Sequence, residues 1–257
     1  MAQRTAHSLR HEYEIYVERE IEDYKESVPR SALLSIGDEA VASLRAQEQL
    51  ALDEMVLWDE VDRIIKLRLR LPTYQTWRRR RLKTLSRYRQ PEHWGLQPDE
   101  PLMRALRPAS ESHVLVTGAN VEGTALYLAA HGCEVTAVEP AAEVVERVLT
   151  AAEAAGLTTR VHGCVSDLGH WNPEVPLQAV VCSAGAFDGL SCDERARVIE
   201  LLQRATTAGG VHLVDPRLVG PAAVTLDELR AFYAGWDVSV EREREPTPSF
   251  LARKSLA

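Results

Sequence analysis

Apolar residues recur at helical spacing through the first third of the chain and then give way to short β-rich runs. Tyr13, Val17, Ile21 and Tyr24 fall on one helix face, and Pro29 breaks the run. Gly37 and Asp38 mark the start of a second helix that extends to about Leu50. A third carries Met55, Trp58, Val61, Ile65 and Leu69 and stops before Pro72. Thr73 to Arg89 is a fourth, with Tyr74, Trp77, Leu85 and Tyr88 on one side. Two prolines and a glycine within Gln90–Pro98 interrupt the pattern, dividing a helical extension, residues 1–90, from a second domain, 91–257.

Beyond that boundary, runs of strand length alternate with helical stretches. Strands are expected at 113–117, 133–139, 159–164, 179–183 and 211–215, and helices at about 99–107, 123–131, 141–155 and 193–207. Strands separated by helices predict a parallel sheet covered on both faces. The end of the chain differs. A helix near 225–233 precedes two strands, Trp236–Glu241 and Ser249–Lys254, which fit an antiparallel hairpin at the sheet edge.

The segment His113–Pro140 holds the most informative chemistry. Val114–Val116 enters a loop with Gly118 and Gly123, a helical run follows, and Cys133–Val138 ends on Glu139, 21 positions after Gly118. Such a unit brings backbone N–H groups and a helix N-terminus to a ligand, with a carboxylate placed to accept from ribose hydroxyls. The plainer reading of Glu139 is a solvated strand end. Asp167 after the third strand also reads as a helix cap or turn former. Asp188 and Asp215 follow the fourth and fifth strands, where ordinary loop acids also occur. His162, His170 and His212 are the candidate bases, but a lone histidine near a sheet edge is commonly just a polar neighbour. No catalytic base is identified.

The order of elements, the glycine loop, Glu139 and the terminal hairpin together resemble the class I S-adenosylmethionine-dependent methyltransferases, over about Glu92 to Lys254. The resemblance implies an α/β fold: a doubly wound seven-stranded methyltransferase-type (Rossmann-like) sheet of order 3-2-1-4-5-7-6 with strand 7 antiparallel. Here that sheet would carry an α-helical N-terminal extension. It also implies S-adenosylmethionine as cofactor. VLVTGANVEGTALYLA aligns with the family's first motif, making Gly118 its first glycine. Asn120 and Glu122 replace the second and third, Val116 stands where an acid is usual, and a one-residue insertion would let Gly123 serve as the third glycine. Glu139 matches the ribose acid and Asp167 the acid that accepts from the adenine amino group. Ser183 lies where strand 4 opens under the methionine end, and Ala208-Gly209-Gly210 matches a Pro-Gly-Gly turn before strand 5. The implied cofactor set is Gly118, Asn120, Gly123, Glu139, Asp167 and Ser183. A Glu122 carboxylate about 4 Å from the cofactor's own, at an effective dielectric near 20, would cost about 4 kcal/mol. Turned to solvent or to the cofactor's amine, it would cost nothing.

Composition sets the context. With 45% hydrophobic residues in 257, the chain has ample material for a core. No apolar run approaches the roughly 20 residues that span a bilayer, and the polar N-terminus lacks a signal-peptide core. Cys133, Cys164, Cys182 and Cys192 show no metal-ligand spacing, so a cytoplasmic protein without a metal is expected. The net charge of −8 hides an asymmetry: residues 11–60 are rich in acids, whereas 63–89 hold arginines and lysines with no acid. That pattern predicts an internal match or an anionic partner. The expected partners are a protein or a second copy through residues 1–90 and an anionic membrane surface through 63–89, placing the protein at the periphery of a membrane or of a large complex. Nucleic acid ranks below these, although Trp77 and Tyr88 interleave with the arginines.

Two functions follow. One is an S-adenosylmethionine-dependent methyltransferase of unknown acceptor, with no base required because many methyl transfers need mainly proximity and alignment. The other is a catalytically inactive protein of the same fold that docks onto a larger assembly through its helical arm and basic helix. A dehydrogenase reading of VTGAN fails, since none of Lys25, Lys66, Lys83 and Lys254 lies four places after a tyrosine.

Overall fold

The computed structural model describes residues 8–46, 54–98, 101–105, 112–118, 120–215, 224–241 and 249–256. The chain divides into two compact units, residues 1–84 and 85–257.

The first unit is helical. It contains α1 (Leu9–Ser27), α2 (Arg30–Ala46), α3 (Glu54–Arg68) and most of α4 (Tyr74–Tyr88). Ile21, Ile36, Ala40, Val61, Ile64 and Ile65 form its buried core. Helix α2 departs from the sequence reading. It begins directly after Pro29 and runs through Gly37 instead of starting there. Ile36, Ala40 and Leu44 are buried at helical spacing around that glycine, and their burial outweighs its penalty of about 1 kcal/mol. The expected end of that helix, residues 47–50, lies outside the described residues.

Aromatic side chains of this unit pack on one another. Tyr13 meets Tyr74 at 5.5 Å and Trp77 at 5.6 Å between ring centroids, and its hydroxyl donates to the Pro72 carbonyl at 3.0 Å. Arg81 pairs with Glu12 at 3.2 Å. Helix α4 has no buried residue, and Arg79, Arg80, Lys83 and Arg87 along it are exposed. Its last turn belongs to the second unit. Leu85, Tyr88 and Trp94 pack against that unit's core, and the Trp94 indole donates to the Tyr88 carbonyl at 2.6 Å.

The second unit is a seven-stranded sheet in the order β3-β2-β1-β4-β5-β7-β6. Its strands are β1 (His113–Thr117), β2 (Glu134–Glu139), β3 (Val161–Val165), β4 (Leu177–Ser183), β5 (Thr206–Asp215), β6 (Asp237–Glu241) and β7 (Ser249–Arg253). Strands β1 to β5 run parallel, and β7 pairs antiparallel with both β5 and β6. Helices α5 (Pro101–Ala105), α6 (Val121–Ala130), α7 (Ala142–Ala154), α8 (Cys192–Ala205) and α9 (Leu226–Phe232) complete it.

Strand periodicity distributes the core to two faces. Val114, Val116, Val135 and Ala137 pack with α6 and α7, whereas Leu115, Val138, Val180 and Val214 pack with α8 and α9. Burial on both sides is why these strands read as nearly continuous apolar runs.

The widest departure from the sequence reading in this unit lies where α8 meets β5. Thr206 and Thr207, expected to end α8, belong to β5, and Ala208-Gly209-Gly210 lies within that strand, not in a turn before it. Leu177 pairs with Thr206 but Ala179 with Val211, so β5 bulges across the three-residue segment. Gly209 takes the required left-handed turn at φ +75°. A buried polar chain fastens the same strand. His212 is fully buried, its Nδ1 2.6 Å from the Tyr233 hydroxyl and its Nε2 2.7 Å from the Thr206 hydroxyl. Burial, with a smaller effect from Lys254, depresses the imidazole pKa to about 3.

Candidate functional site

The carboxyl ends of β1, β2 and β4 bring three of the sequence-selected residues together. β1 lies between β2 and β4, so Thr117 is in register with Cys182 and the two strand ends share one edge. Gly118 follows β1 at φ +90°, and a Cβ there would lie 2.1 Å from the Ser183 hydroxyl oxygen. Only glycine satisfies both the angle and the contact. The Gly118 N–H donates to the Glu139 carboxylate at the end of β2.

Glu139 is 9% exposed. Burial raises its pKa, opposed by the Gly118 N–H and by a hydrogen bond with the Thr117 hydroxyl. No ion pair with a cation reaches it among the described residues. The carboxylate is therefore held by neutral donors at a strand end, an uncommon place to bury an unpaired acid.

The rest of the glycine loop serves packing. Asn120 adopts the left-handed conformation, φ 60° and ψ 27°, at the start of α6, a geometry asparagine tolerates better than most residues. Gly123 sits inside α6, where a Cβ would come 2.6 Å from the Trp94 carbonyl oxygen. Glu122 turns to α7 and pairs with Arg147 at 2.9 Å. Its charge is thereby partly neutralised and also lies favourably in the first turn of a helix. Val116 is buried in the core.

Asp167, after β3, forms a turn. Its Oδ1 accepts from the His170 backbone N–H at 3.0 Å, and His170 Nδ1 lies 2.9 Å from both carboxylate oxygens. The His170 side chain holds the Asp167 pKa below the usual carboxylate value. The turn-forming reading is realised, and one carboxylate retains capacity for a further donor. The Ser166 N–H donates to the Glu139 carbonyl at 3.0 Å, which ties this turn to the end of β2.

Of the other histidines, His162 faces Glu134 at 3.5 Å and His212 is the buried strut of β5. Asp188 approaches the Ser183 side: a Cβ on Gly185 would lie 3.6 Å from Asp188 Oδ2 and 3.7 Å from Ser183 Oγ. The side chain of Asp215 lies outside the described residues. Thr117 and Gly185 escaped the sequence reading. Thr117, a hydroxyl one place before the first glycine, was the legible signal of the two. Among the described residues no cluster of three or more His, Cys, Asp or Glu could hold a metal, and no helix is long and apolar enough to cross a membrane.

No protein-family model and no curated protein sequence matches the chain. Solved structures do. TehB from Haemophilus influenzae aligns with a TM-score of 0.50 at 18% identity, over 60% of this chain and 61% of that one. The match thus spans less than two thirds of TehB. A SAM-dependent methyltransferase from Methanosarcina mazei aligns at 0.49 with 16% identity, over 62% of this chain and 99% of that one. The N-methyltransferase NodS from Bradyrhizobium japonicum, in complex with S-adenosylhomocysteine, aligns at 0.48 with 12% identity, over 67% and 96%. Sheet order, the antiparallel β7 and the likeness to TehB together identify the fold as that of the class I S-adenosylmethionine-dependent methyltransferases.

Proposed function

We propose that this methyltransferase-type unit binds S-adenosylmethionine at the carboxyl edge of its sheet and transfers the methyl group to an acceptor. The observation that carries the reading is Glu139: a buried carboxylate, held among the described residues by the Gly118 N–H and Thr117, at the strand end where such folds recognise ribose. A carboxylate kept there against its desolvation cost fits a ligand that brings hydroxyl donors.

The residues fit the cofactor in chemistry. Glu139 would accept from the ribose hydroxyls, and Asp167, which holds His170 and the Gly169 N–H in the turn, would accept from the adenine amino group. Gly118 and Asn120 present bare or short-chained backbone beside the N-terminus of α6, and Ser183 borders Gly118. Gly123 contributes indirectly, by letting α6 approach Trp94. Glu122 departs from the family pattern, and its pairing with Arg147 offsets part of the repulsion a bare carboxylate would exert. Bound there, the cofactor would supply an electrophilic sulfonium methyl to an acceptor lone pair. The chain's own contribution is alignment and exclusion of water, which suffices for many such transfers.

Calorimetry with S-adenosylmethionine and S-adenosylhomocysteine tests the reading. Binding that weakens about ten-fold or more in Glu139→Ala supports it. Absence of binding at millimolar ligand removes it.

A second reading rests on α4. Arg79, Arg80 and Lys83 are exposed and form no ion pair among the described residues, while Arg79, Lys83 and Arg87 repeat at i, i+4 and i+8. Like charges at that spacing weaken a helix, so an anionic partner is favoured. Trp77 packs with Tyr13 and Tyr88 with Trp94, which removes the stacking expected of single-stranded nucleic acid. In this reading the protein docks on an anionic surface without catalysis. Co-sedimentation with phosphatidylserine-containing vesicles, lost in pure phosphatidylcholine and at moderate salt, supports it. Equal recovery of Arg79→Ala/Lys83→Ala and unaltered protein counts against it.

A further inference from the structure

The segment after β4 builds a notch outside the glycine loop. Ser183 ends the strand, and a 3₁₀ turn, Ala184–Phe187, carries the chain to Asp188. Phe187 is fully buried and anchors that turn in the core shared with α8. The Asp188 N–H donates to the Gly185 carbonyl at 3.1 Å and the Leu190 N–H to the Phe187 carbonyl at 3.2 Å, which fixes the carboxylate's place. Gly185 is exposed. A Cβ there would lie 3.6 Å from Asp188 Oδ2 and 3.7 Å from Ser183 Oγ, so its bare Cα sits between a carboxylate and a hydroxyl.

Charge decides what such a notch can hold. Asp188 is exposed and forms no ion pair among the described residues, while cations of the adjoining segments are engaged elsewhere. His170 lies on Asp167, Arg195 on Glu228, and Arg197 Nε donates to the Asp193 carbonyl at 3.4 Å. The neighbouring turn adds a second acid. A Cβ on Gly169 would meet Leu190 at 3.1 Å, which sets the Asp188 loop beside the turn of Asp167, whose carboxylate His170 keeps ionised. Two acids on one edge draw a cation to it. A metal ion is not provided for, since no group of three or more His, Cys, Asp or Glu could hold one among the described residues. A compact ammonium, with three donors on one atom, can meet both oxygens from above Gly185.

We propose that this notch seats an ammonium group of the methyl acceptor, which is therefore an amine. The inference rests on the methyl-transfer reading and names its acceptor class. Ser183 joins the two parts of the edge: a Cβ on Gly118, whose N–H holds Glu139, would strike its Oγ, and one on Gly185 would touch it. Cofactor and amine would thus lie on either side of one serine. The ammonium releases one proton to solvent, past the exposed Asp188, before its nitrogen lone pair is free to react. An alcohol of the same shape gains only a weaker hydrogen bond there, and a carboxylate is repelled.

The probe is n-butylamine, titrated into the ¹⁵N-labelled full chain saturated with S-adenosylhomocysteine, with butan-1-ol and butyrate as comparators. The amine should shift the Gly185 and Asp188 amide resonances and bind about ten-fold or more tightly than the alcohol, and butyrate should leave those resonances in place. Asp188→Asn should reduce the amine to the affinity of the alcohol. Gly185→Ala is the second variant. Gly185 has no positive φ and the added methyl makes only ordinary contacts, so the fold accepts it while the notch is filled. It should weaken the amine about ten-fold and leave the melting temperature and S-adenosylhomocysteine affinity unchanged. Failure of S-adenosylhomocysteine to bind removes the methyl-transfer reading and this inference with it. With S-adenosylhomocysteine bound, equal affinity for amine and alcohol, or no shift at about 20 mM amine, overturns this inference alone. Competition between the amine and S-adenosylhomocysteine also overturns it, by assigning the notch to the cofactor's own ammonium.

Discussion

Glu122 Oε2 lies 2.9 Å from the Arg147 Nε, joining the first turn of α6 to α7 beside the glycine loop. Both side chains are substantially solvent-exposed, so the pair is worth at most about 1 kcal/mol to stability. Its larger effect is on the local field. Arg147→Ala should barely move the melting temperature but should lower S-adenosylhomocysteine affinity several-fold. Adding Glu122→Gln should restore it. Unchanged affinity in Arg147→Ala would mean that Glu122 lies outside the field of the bound cofactor.

Glu139 offers a test with opposite signs for stability and binding. Burial raises its folded pKa above the unfolded value, so the folded state favours the protonated acid. Stability is then lost as pH rises from the unfolded pKa through the folded one, and the ionised group is a burden at neutral pH. Glu139→Gln keeps an acceptor for the Gly118 N–H and removes that burden. The variant should melt higher than the parent at pH 7, converge with it near pH 4, and bind cofactor more weakly. A variant that melts lower at pH 7 would show the carboxylate to be a structural asset.

His212 titrates in a different window. Its folded pKa is about 3 against 6.5 for a free imidazole, so the unfolded chain carries the extra proton between those values. Stability falls as pH drops below 6.5, by up to about 1.4 kcal/mol per pH unit from this group. Chemical denaturation at pH 7, 6 and 5 should show that slope, and His212→Gln, which keeps a donor and an acceptor for Tyr233 and Thr206, should flatten it. An identical slope in both proteins would remove His212 as its source.

Gly37 occupies an interior turn of α2, and a Cβ there meets nothing within 4 Å. Gly37→Ala should stabilise the first unit by about 0.5–1 kcal/mol through lost unfolded-state freedom. The midpoint of denaturation followed by Trp58 or Trp77 fluorescence should rise. A lower midpoint would indicate a required close approach at that face.

The sheet was legible because strands buried on both faces give short continuous apolar runs, which alternate with longer helical stretches. Capping boxes at Ser191-x-x-Glu194 and Thr225-x-x-Glu228 set the starts of α8 and α9. What escaped reading was non-local. Gly37 looked like a helix start because its effect on propensity is local, whereas the partners of Ile36 and Ala40 are distant in sequence. The bulge in β5 depends on the pairing of Thr206 with Leu177, which no window of β5 contains. At the candidate site, spacing identified Gly118 and Glu139, but the rotamer of Glu122 depended on Arg147, 25 residues away.

The contact between Gly118 and Ser183 separates two kinds of constraint on descent. A lineage that stopped using the cofactor would still retain this glycine, since any side chain there strikes the hydroxyl of β4. Glu139 has no such protection, because replacing it relieves a buried charge. Among relatives of this chain, glycine at 118 therefore records only ancestry, while the acid at 139 reports whether a ligand is still selecting for it.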